Sequence, residues 1–427
     1  CGTSYRFKYT VTPPHFAADT EPNNSAPGTA LAHDTYTEGQ LQFDAENVND
    51  IYNIVAPSYG VMTFEVQAEH TGATPGSLDL ALLTAGGSLI QSWTIDVGAN
   101  GTPDTTVVSI PCRSTLNAYN LRLTSSTCGI SYRLKYTMTA PHFAADTEPN
   151  DGTPGTSLAH NTYTEGRLAF DGENVYDYYT IAAPTNGVMT FEVQAEHTGA
   201  APSTLELRLY SSTGIALQTW NLDVGANGIP DTSTVSIRCQ STVNPYNVRL
   251  TSSTCGVSYR IQYSMTAPYF APDAEPNNLQ PGTPLPYDTY TEGHLEFYGE
   301  SFYDLYRIVP SADGMVNIEV EAEHAGPDPG TMQVALLSSA GIVLHNWNVP
   351  VGTSSIPIIT TDSVTCRTGS TNYDLRLSSS TCGISYKLKW TLTTPVFTND
   401  TEPNNSTAQA IVLPETQTTQ GRLNFGS

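Results

Sequence analysis

The sequence predicts an all-β protein built as a tandem array of antiparallel β-sandwich modules. Three observations predict it: an exact 127-residue repeat, an alternation of apolar and polar residues within each repeat, and the lack of any sustained helical period. The repeat is marked by the motif Asp-Thr-Glu-Pro-Asn-Asn, which begins at Asp19 and returns in closely related form at Asp146, Asp273 and Asp400. Each period has the length of an ordinary domain and is expected to have its own core.

Alternating segments predict about eight strands in each module. In residues 62–69 the apolar side chains occupy one face and the polar side chains the other, and residues 132–136 alternate in the same way. Turn-forming segments such as residues 71–76 and 98–101 separate these strands. The pattern is typical of two antiparallel sheets packed as a sandwich.

The period also sets the expected domain boundaries. Residues 19–141, 146–268 and 273–395 are predicted to be three complete modules. Residues 1–14 align with the last strand of a preceding module, and residues 400–427 begin a divergent fourth. We therefore expect the 427 residues to be a window on a longer array.

Charge and hydropathy exclude several classes of function. The formal net charge is −24, from 41 acidic and 17 basic residues, which disfavours nucleic acid and anionic membranes as partners. No apolar run is long enough to cross a membrane as a helix. Solubility explains much of the acidity, but the acidic residues recur in fixed clusters, which points to cation binding.

Six cysteines recur in pairs with constant spacing, and we predict one disulfide within each module. The predicted pairs are Cys112 with Cys128, Cys239 with Cys255, and Cys366 with Cys382. Each would close a loop of about 15 residues, worth roughly 3 kcal/mol in the chain-entropy model. Disulfides indicate an oxidising compartment, so the protein is expected to be secreted, extracellular or on the cell surface.

Cys1 is the seventh cysteine, and two interpretations of it stay open. A mature lipoprotein also begins with Cys, so Cys1 could be lipidated. Residues 1–9 also match residues 128–136 closely, which favours a chain that continues upstream.

Acidic and amide residues form a repeated cluster that predicts a cation site. The opening motif is followed about 25 residues later by a second acidic group, and calcium prefers six to eight oxygen ligands. The alternative is a turn in which these side chains cap their own backbone. The candidate ligands are Asp19, Glu21, Asn23, Asn24, Glu46 and Asp50; then Asp146, Glu148, Asn150, Asp151, Glu173 and Asp177; then Asp273, Glu275, Asn277, Asn278, Glu300 and Asp304.

The opening motif, together with the downstream segment 46–52, resembles the bacterial pre-peptidase C-terminal (PPC) domain and the related collagen-binding domains of clostridial collagenases. The resemblance covers each module from its Asp-x-Glu-Pro-Asn turn to its last strand. It implies a jelly-roll-like sandwich on a secreted protein, with calcium held by Glu21, Asn23, Asn24 and Asp50 and their copies. Asp44 and Asp171 are replaced by Tyr298, so this position is a weaker ligand candidate.

A phenylalanine precedes each opening motif, at Phe16, Phe143, Phe270 and Phe397. It could fix the angle between neighbouring modules or close the core of its own module. The repeated pair Glu69-His70 is interpreted as a surface strand end, because adjacent strand residues point to opposite faces. The repeated Trp93 is interpreted as core.

No catalytic signature such as HExxH, GxSxG or a Walker motif is present, and the protein is predicted not to be an enzyme. We expect a structural protein outside a prokaryotic cell, forming a rod, filament or adhesive stalk from like modules or subunits stabilised by calcium and disulfides. The alternative is a collagen- or polysaccharide-binding appendage of a secreted hydrolase. That alternative predicts an exposed aromatic stripe on one sheet face.

Overall fold

The structure is a computed structural model with side chains. It describes residues 2–43, 48–147, 150–172, 175–199, 203–242, 245–297, 301–325, 330–353, 356–369, 371–397, 406–410, 412–413 and 415–421, with the side chain of Cys366 outside that description. In these residues the regular elements are 27 strands, arranged as three successive sets of nine. No helix in this part of the chain has the length and hydrophobicity needed to cross a membrane.

The first module contains strands β1 to β9. Their bounds are Thr29–Ala30, Thr37–Leu41, Asn49–Val55, Gly60–His70, Gly76–Thr84, Leu89–Val97, Asp104–Arg113, Ala118–Thr124 and Ile130–Thr139. One sheet has the order β1-β3-β8-β5-β6 and the other β2-β9-β4-β7. Consecutive strands from β2 to β5 alternate between the sheets, and the orders β2-β9-β4-β7 and β3-β8-β5-β6 are those of a jelly roll. The all-β sandwich prediction is therefore confirmed, with nine strands where about eight were expected; one of the nine is the two-residue β1.

The second and third modules repeat this arrangement. Strands β10 to β18 are Thr156–Ser157, Thr164–Leu168, Tyr176–Ile181, Gly187–His197, Ser203–Ser211, Ala216–Val224, Asp231–Gln240, Tyr246–Thr251 and Val257–Thr266. Strands β19 to β27 are Thr283–Pro284, Thr291–Leu295, Tyr303–Ile308, Gly314–His324, Gly330–Ser338, Val343–Thr353, Ile358–Arg367, Tyr373–Ser379 and Ile384–Thr393. In the third module β24 also pairs with β22, which joins the two sheets at one edge.

Each module has its own hydrophobic core between its two sheets. In β4 the side chains of Met62, Phe64, Val66 and Ala68 are fully buried, and the residues between them are partly exposed. Burial of each large apolar side chain contributes about 1.5–3 kcal/mol, so the alternation in the sequence directly sets which face of the strand turns inward. Trp93 packs against the edge of this core, as predicted.

Residues 2–14 were expected to be the last strand of a preceding module, but they form no strand here. Tyr5 is 90% exposed, whereas the equivalent Tyr132 is 0% exposed in β9. The difference has a physical cause: β9 is held between β2 and β4 of its own module, and residues 2–14 have no such neighbours in the described structure.

A buried glutamate fixes the linker that enters each module. The carboxylate of Glu69 accepts the backbone N–H of His15 at 3.0 Å and the hydroxyl of Ser131, while Phe16 N–H donates to Ser131 Oγ at 3.2 Å. The same contacts return at Glu196 and at Glu323. The surface interpretation of the Glu-His pair is wrong for His197 and His324, which are buried, and for all three glutamates, whose carboxylates are fully buried. Sequence alternation could not reveal this, because the linker covers them.

Candidate functional site

The Asp-x-Glu-Pro-Asn motif folds as a turn against the start of β3. The Asn23 carbonyl accepts the N–H of Ile51 at 2.8 Å, and the Asn23 side chain donates to Asp19. Asn23 N–H in turn donates to Glu21 Oε2 at 3.1 Å. These contacts bring the motif against Asp50, the neighbour of Ile51 in β3. The equivalent backbone bonds join Asn150 to Tyr178 and Asn277 to Leu305.

The turn and the strand together form an acidic cluster. Carboxylate oxygens of Asp19, Glu21 and Asp50 lie within 4.8 Å of one another, as do those of Asp273, Glu275 and Asp304. Asp50 and Asp304 are fully buried. In the second module Asp146 and Asp177 hold the equivalent positions, with Asp177 fully buried, and Glu148 lies outside the described residues.

Two buried tyrosines form the inner wall of each cluster. Tyr52 OH lies 3.1 Å from Asp19 Oδ2 and 2.8 Å from Tyr132 OH, and Tyr132 OH donates to Asp50. Burial raises the pKa of both phenols, so they stay protonated and act as donors. The pairs Tyr179 with Tyr259 and Tyr306 with Tyr386 repeat the arrangement.

Other oxygens of the cluster are buried and have no hydrogen-bond partner among the residues that the structure describes. They include Oδ1 of Asp304 and Oδ1 of Asn277, and in the first module Oδ1 of Asn23. Burial, together with the nearby charges of Asp273 and Glu275, raises the pKa of Asp304 to about 9. Unpaired buried oxygens next to a crowded carboxylate cluster are costly unless a cation neutralises them. An all-oxygen set of carboxylates and amides fits a hard cation such as calcium.

The remaining predicted ligands fall outside this inner set or outside the description. Asn24 and Asp151 are exposed, and the Asn278 side chain donates to Ser301 Oγ at 2.8 Å. Glu46, Glu173 and Glu300 lie outside the described residues. The metal assignment as a whole stays a prediction.

The disulfides connect consecutive modules, which corrects the pairing predicted from the sequence. Cys112 is bonded to Cys255, and Cys239 to Cys382, each pair 143 residues apart in the chain. Cys128 is a free, exposed thiol. The predicted pairs within a module, Cys112 with Cys128 and Cys239 with Cys255, are therefore wrong. For the third predicted pair, Cys382 is already bonded to Cys239, and the side chain of Cys366 lies outside the described structure.

Strand register explains why pairing within a module fails. In the first module Arg113, next to Cys112, pairs with Gly60 at the start of β4. Ile130, close to Cys128, pairs with His70 at the other end of the same strand. The eleven residues of β4 span about 35 Å. Two cysteines at opposite ends of a sandwich cannot meet the distance of about 7 Å between Cα atoms that a disulfide allows.

Around the first disulfide, Asp171 of the second module is held by four side chains of the first. Arg113 Nη1 lies 3.3 Å from Asp171 Oδ2, and Tyr119 OH donates to the same oxygen at 3.0 Å. The Asp171 carbonyl accepts from Asn117 Nδ2 at 3.2 Å and from the Ser114 hydroxyl. Asp171 is thus a junction residue. In the sequence this position was only a weaker ligand candidate, and its role at the junction was not predicted.

Aromatic contacts extend the first junction. The rings of Tyr59 and Phe170 meet edge to face with centroids 5.6 Å apart, and the Arg167 guanidinium lies 5.0 Å from the Tyr59 ring. At the second junction Asn186 and His294 occupy the positions of Tyr59 and Arg167. Their contact is polar, with Asn186 Nδ2 3.2 Å from His294 Nδ1. His294 is buried, and its Nε2 lies 2.7 Å from the Phe270 carbonyl.

At the second junction the acidic cluster opens into a cleft between modules. The cleft has a volume of about 610 Å³ and is lined by Asn186 and Thr242 of the second module and by Asp273, Glu275 and His294 of the third. The backbone N–H of His294 also donates to Asp273 Oδ1 at 3.1 Å. A cation bound at this cluster would therefore lie beside the module boundary.

The junction phenylalanines are placed mainly by their own modules. Phe16, Phe143 and Phe270 are buried. Phe143 N–H donates to Ser258 Oγ, and the Arg260 guanidinium lies 5.7 Å from its ring, both residues belonging to the module that follows. These contacts favour the interpretation that the phenylalanine closes its own module. Phe397 is 58% exposed, and residues 398–400 lie outside the description.

No protein-family model matches the chain, and no curated protein matches it. Among solved structures it is similar to the N-terminal CBM22-1–CBM22-2 tandem domain of Paenibacillus barcinonensis Xyn10C, at 13% identity over 54% of this chain and 86% of that one, with a TM-score of 0.19. A chain of Sulfolobus turreted icosahedral virus is similar at 10% identity over 83% and 90% of the two chains, with a TM-score of 0.16. At these TM-scores neither similarity decides a function.

Proposed function

We propose that this chain is a non-enzymatic structural protein of the extracellular space or cell surface. Its β-sandwich modules form a rod or filament that disulfides and calcium stabilise. The all-β modules, the two disulfides among the described residues and the net charge of −24 are compatible with a structural or binding appendage exposed to an oxidising medium. The resemblance to PPC domains agrees with this proposal.

One observation carries the proposal: both described disulfides join neighbouring modules. A disulfide inside a sandwich would stabilise that module alone, whereas Cys112–Cys255 and Cys239–Cys382 limit how one module moves against the next. Because repeats contact mainly their neighbours, covalent junctions convert a string of domains into one mechanical element.

Calcium is proposed to act at the same boundaries. The Asp273, Glu275 and Asp304 cluster would bind the cation with Asn277, next to the cleft between the second and third modules. The copies in the first two modules would use Asp19, Glu21, Asn23 and Asp50, and Asp146, Glu148, Asn150 and Asp177. Bound calcium would neutralise buried carboxylates and stabilise the turn that follows each linker.

Small-angle X-ray scattering of the purified chain tests the proposal. With calcium and intact disulfides we expect a narrow, elongated particle whose maximum dimension matches three modules in series. Reduction and chelation together should broaden the distance distribution while circular dichroism still reports folded β-structure. A compact particle in the oxidised, calcium-loaded state would contradict a rod.

A binding appendage is the second candidate, and a surface feature favours it. Tyr36 and Tyr290 are 37% and 44% exposed. Each ring lies within 5 Å of a Lys or Arg head group on the last strand of its module, β9 or β27. Tyr163 repeats the arrangement with Arg260. One such tyrosine per module could contact collagen or a polysaccharide. Co-sedimentation with insoluble collagen and polysaccharides, abolished by Tyr36→Ala, Tyr163→Ala and Tyr290→Ala together, would support binding; no co-sedimentation would count against it.

A further inference from the structure

We propose that the second module carries a binding site for a neutral polysaccharide chain on the outer face of the sheet β10-β12-β17-β14-β15. The site is formed by side chains that the first and third modules lack, so it occurs once in the three modules. It lies on the other sheet from Tyr163, whose ring lies 4.4 Å from the Arg260 guanidinium of β18. The inference therefore goes beyond the structural function and uses a different surface from the tyrosines that repeat in each module.

The equivalent surface is apolar in the other two modules. Three buried apolar side chains lie there in each of them: Ile51, Ala81 and Leu83 in the first, and Leu305, Ala335 and Leu337 in the third. In the second module the same positions are Tyr178, Arg208 and Tyr210, all partly exposed. This exchange gives up the free energy of burying an apolar cluster. A local departure from good packing is typical of a surface that serves a function.

Strand register brings the new side chains together. Arg208 in β14 lies directly opposite Arg249 in β17, and Arg249 lies opposite Tyr178 in β12. Glu206 accepts from Arg249 Nη2 at 2.8 Å with one oxygen and from Arg208 Nη2 at 3.3 Å with the other. Two guanidinium groups that would repel each other across the strands are thus held by one carboxylate. Polar groups fixed in this way lose little conformational freedom when a ligand binds.

An exposed tyrosine adds an aromatic surface beside the arginines. Tyr176 in β12 is 42% exposed, and its ring lies 5.4 Å from the Arg249 guanidinium. This contact with a cation restricts the orientation of the ring. The flat apolar face of a tyrosine can pack against the C–H groups of a sugar ring, while polar neighbours bond to its hydroxyl groups.

The polar groups beside Tyr176 line a concave surface. Tyr176, Thr251, Glu206 and Asn221 form one row across the four strands β12, β17, β14 and β15. This row lines a cleft of about 810 Å³, together with Thr204 and Ser252.

The chemistry of this cleft selects the ligand. Carboxylate and amide oxygens accept from hydroxyl groups, and amide and hydroxyl groups also donate to them, which suits a polyhydroxylated ligand. The volume lies in the range of small-ligand sites. The net charge of −24 disfavours an acidic polysaccharide, so we assign the cleft to a neutral one.

Isothermal titration calorimetry of the full chain with hexasaccharides tests the site. The probes are cellohexaose, mannohexaose and N-acetylated chitohexaose, with a galacturonate hexamer as the acidic counterpart. We expect at least one neutral hexasaccharide to bind at a single site per chain. Tyr176→Ala should weaken this binding by about tenfold, and Asn221→Ala should weaken it less. The matched controls are Tyr303→Ala and Asn348→Ala, at the equivalent exposed positions of the third module, and both should bind as wild type does.

A triple variant separates binding from folding. Tyr178→Leu, Arg208→Ala and Tyr210→Leu together give the second module the side chains of the third. The variant should bind no hexasaccharide, and its melting temperature should equal or exceed that of wild type, because it restores the apolar cluster. Binding retained in this variant would contradict the proposed site.

Three further results would overturn the proposal: no binding of any neutral hexasaccharide, equal losses in Tyr176→Ala and Tyr303→Ala, or tighter binding of the galacturonate hexamer. Binding lost in the combined Tyr36→Ala, Tyr163→Ala and Tyr290→Ala variant, with Tyr176 intact, would place the ligand on the opposite sheet and overturn it as well. X-ray scattering of the same samples keeps the proposed rod separate. An elongated chain that binds no hexasaccharide contradicts this site alone.

Discussion

The two described junctions share one disulfide geometry but differ in the polar and aromatic contacts around it. Cα atoms are 5.6 Å apart in Cys112–Cys255 and 5.7 Å apart in Cys239–Cys382. At the first junction Asp171 is held by a salt bridge and several hydrogen bonds. At the second junction Tyr298 occupies the sequence position of this aspartate. A contact between Asn186 and His294 takes the place of the contact between Tyr59 and Arg167. The disulfide is thus the constant element of the junction, and the non-covalent contacts vary.

The largest effect is expected from removing one disulfide at a time. Cys239→Ser should loosen the second junction more than Cys112→Ser loosens the first, because Asp171 still bonds the first two modules. Each disulfide closes a loop of 143 residues, worth about 5 kcal/mol in the chain-entropy model. Hydrogen exchange at linker residues 267–272 and 140–145 measures the difference, with Cys128→Ser as the control. Equal loosening would mean that the polar network at the first junction contributes nothing.

The next effect separates the acidic cluster from the disulfide. Calcium at 100 times its dissociation constant should stabilise a module by about 2.7 kcal/mol, measured as a rise in melting temperature. Asp304→Asn should abolish this rise for the third module. In chelator it should leave that module at least as stable as wild type, because it removes a buried carboxyl whose ionisation burial opposes. Asp96→Asn, at an exposed position, is the matched control. A calcium response that survives Asp304→Asn would contradict this site.

The smallest expected effect concerns the ion pair at the first junction. A double-mutant cycle of Arg113→Ala and Asp171→Ala should give a coupling energy of roughly 0.5–1 kcal/mol, since the pair is only partly buried. The rate at which a mild reductant cleaves Cys112–Cys255 reports it, with Cys239–Cys382 in the same molecule as the internal reference. A change of equal size at both disulfides would indicate a global rather than a junction effect.

The sequence predicted the interior of each module better than its boundaries. Alternation in segments such as residues 62–69 directly reflects which side chains a sandwich buries, so fold class could be inferred. Disulfide pairing could not, because spacing along the chain does not say that Cys112 and Cys128 lie at opposite ends of β4. The burial of Glu69 depends on a linker more than 50 residues away.

The acidic cluster was only partly predictable, because only part of it is formed by residues close together in the sequence. The Asp-x-Glu-Pro-Asn turn is local, and its approach to Asp50 could be anticipated from the repeated spacing. The tyrosine pair behind it comes from two different sheets, and no local pattern indicated it. Likewise, the role of Asp171 could not be predicted from its local sequence, because its contacts are made with the neighbouring module.

Peptide mapping of the unreduced protein by mass spectrometry shows whether the disulfides join neighbouring modules. After proteolysis under conditions that block thiol exchange, the covalent junctions predict cross-linked peptides joining Cys112 to Cys255 and Cys239 to Cys382. Cross-linked peptides joining Cys112 to Cys128, or Cys239 to Cys255, would contradict them and return each disulfide to the interior of its own module.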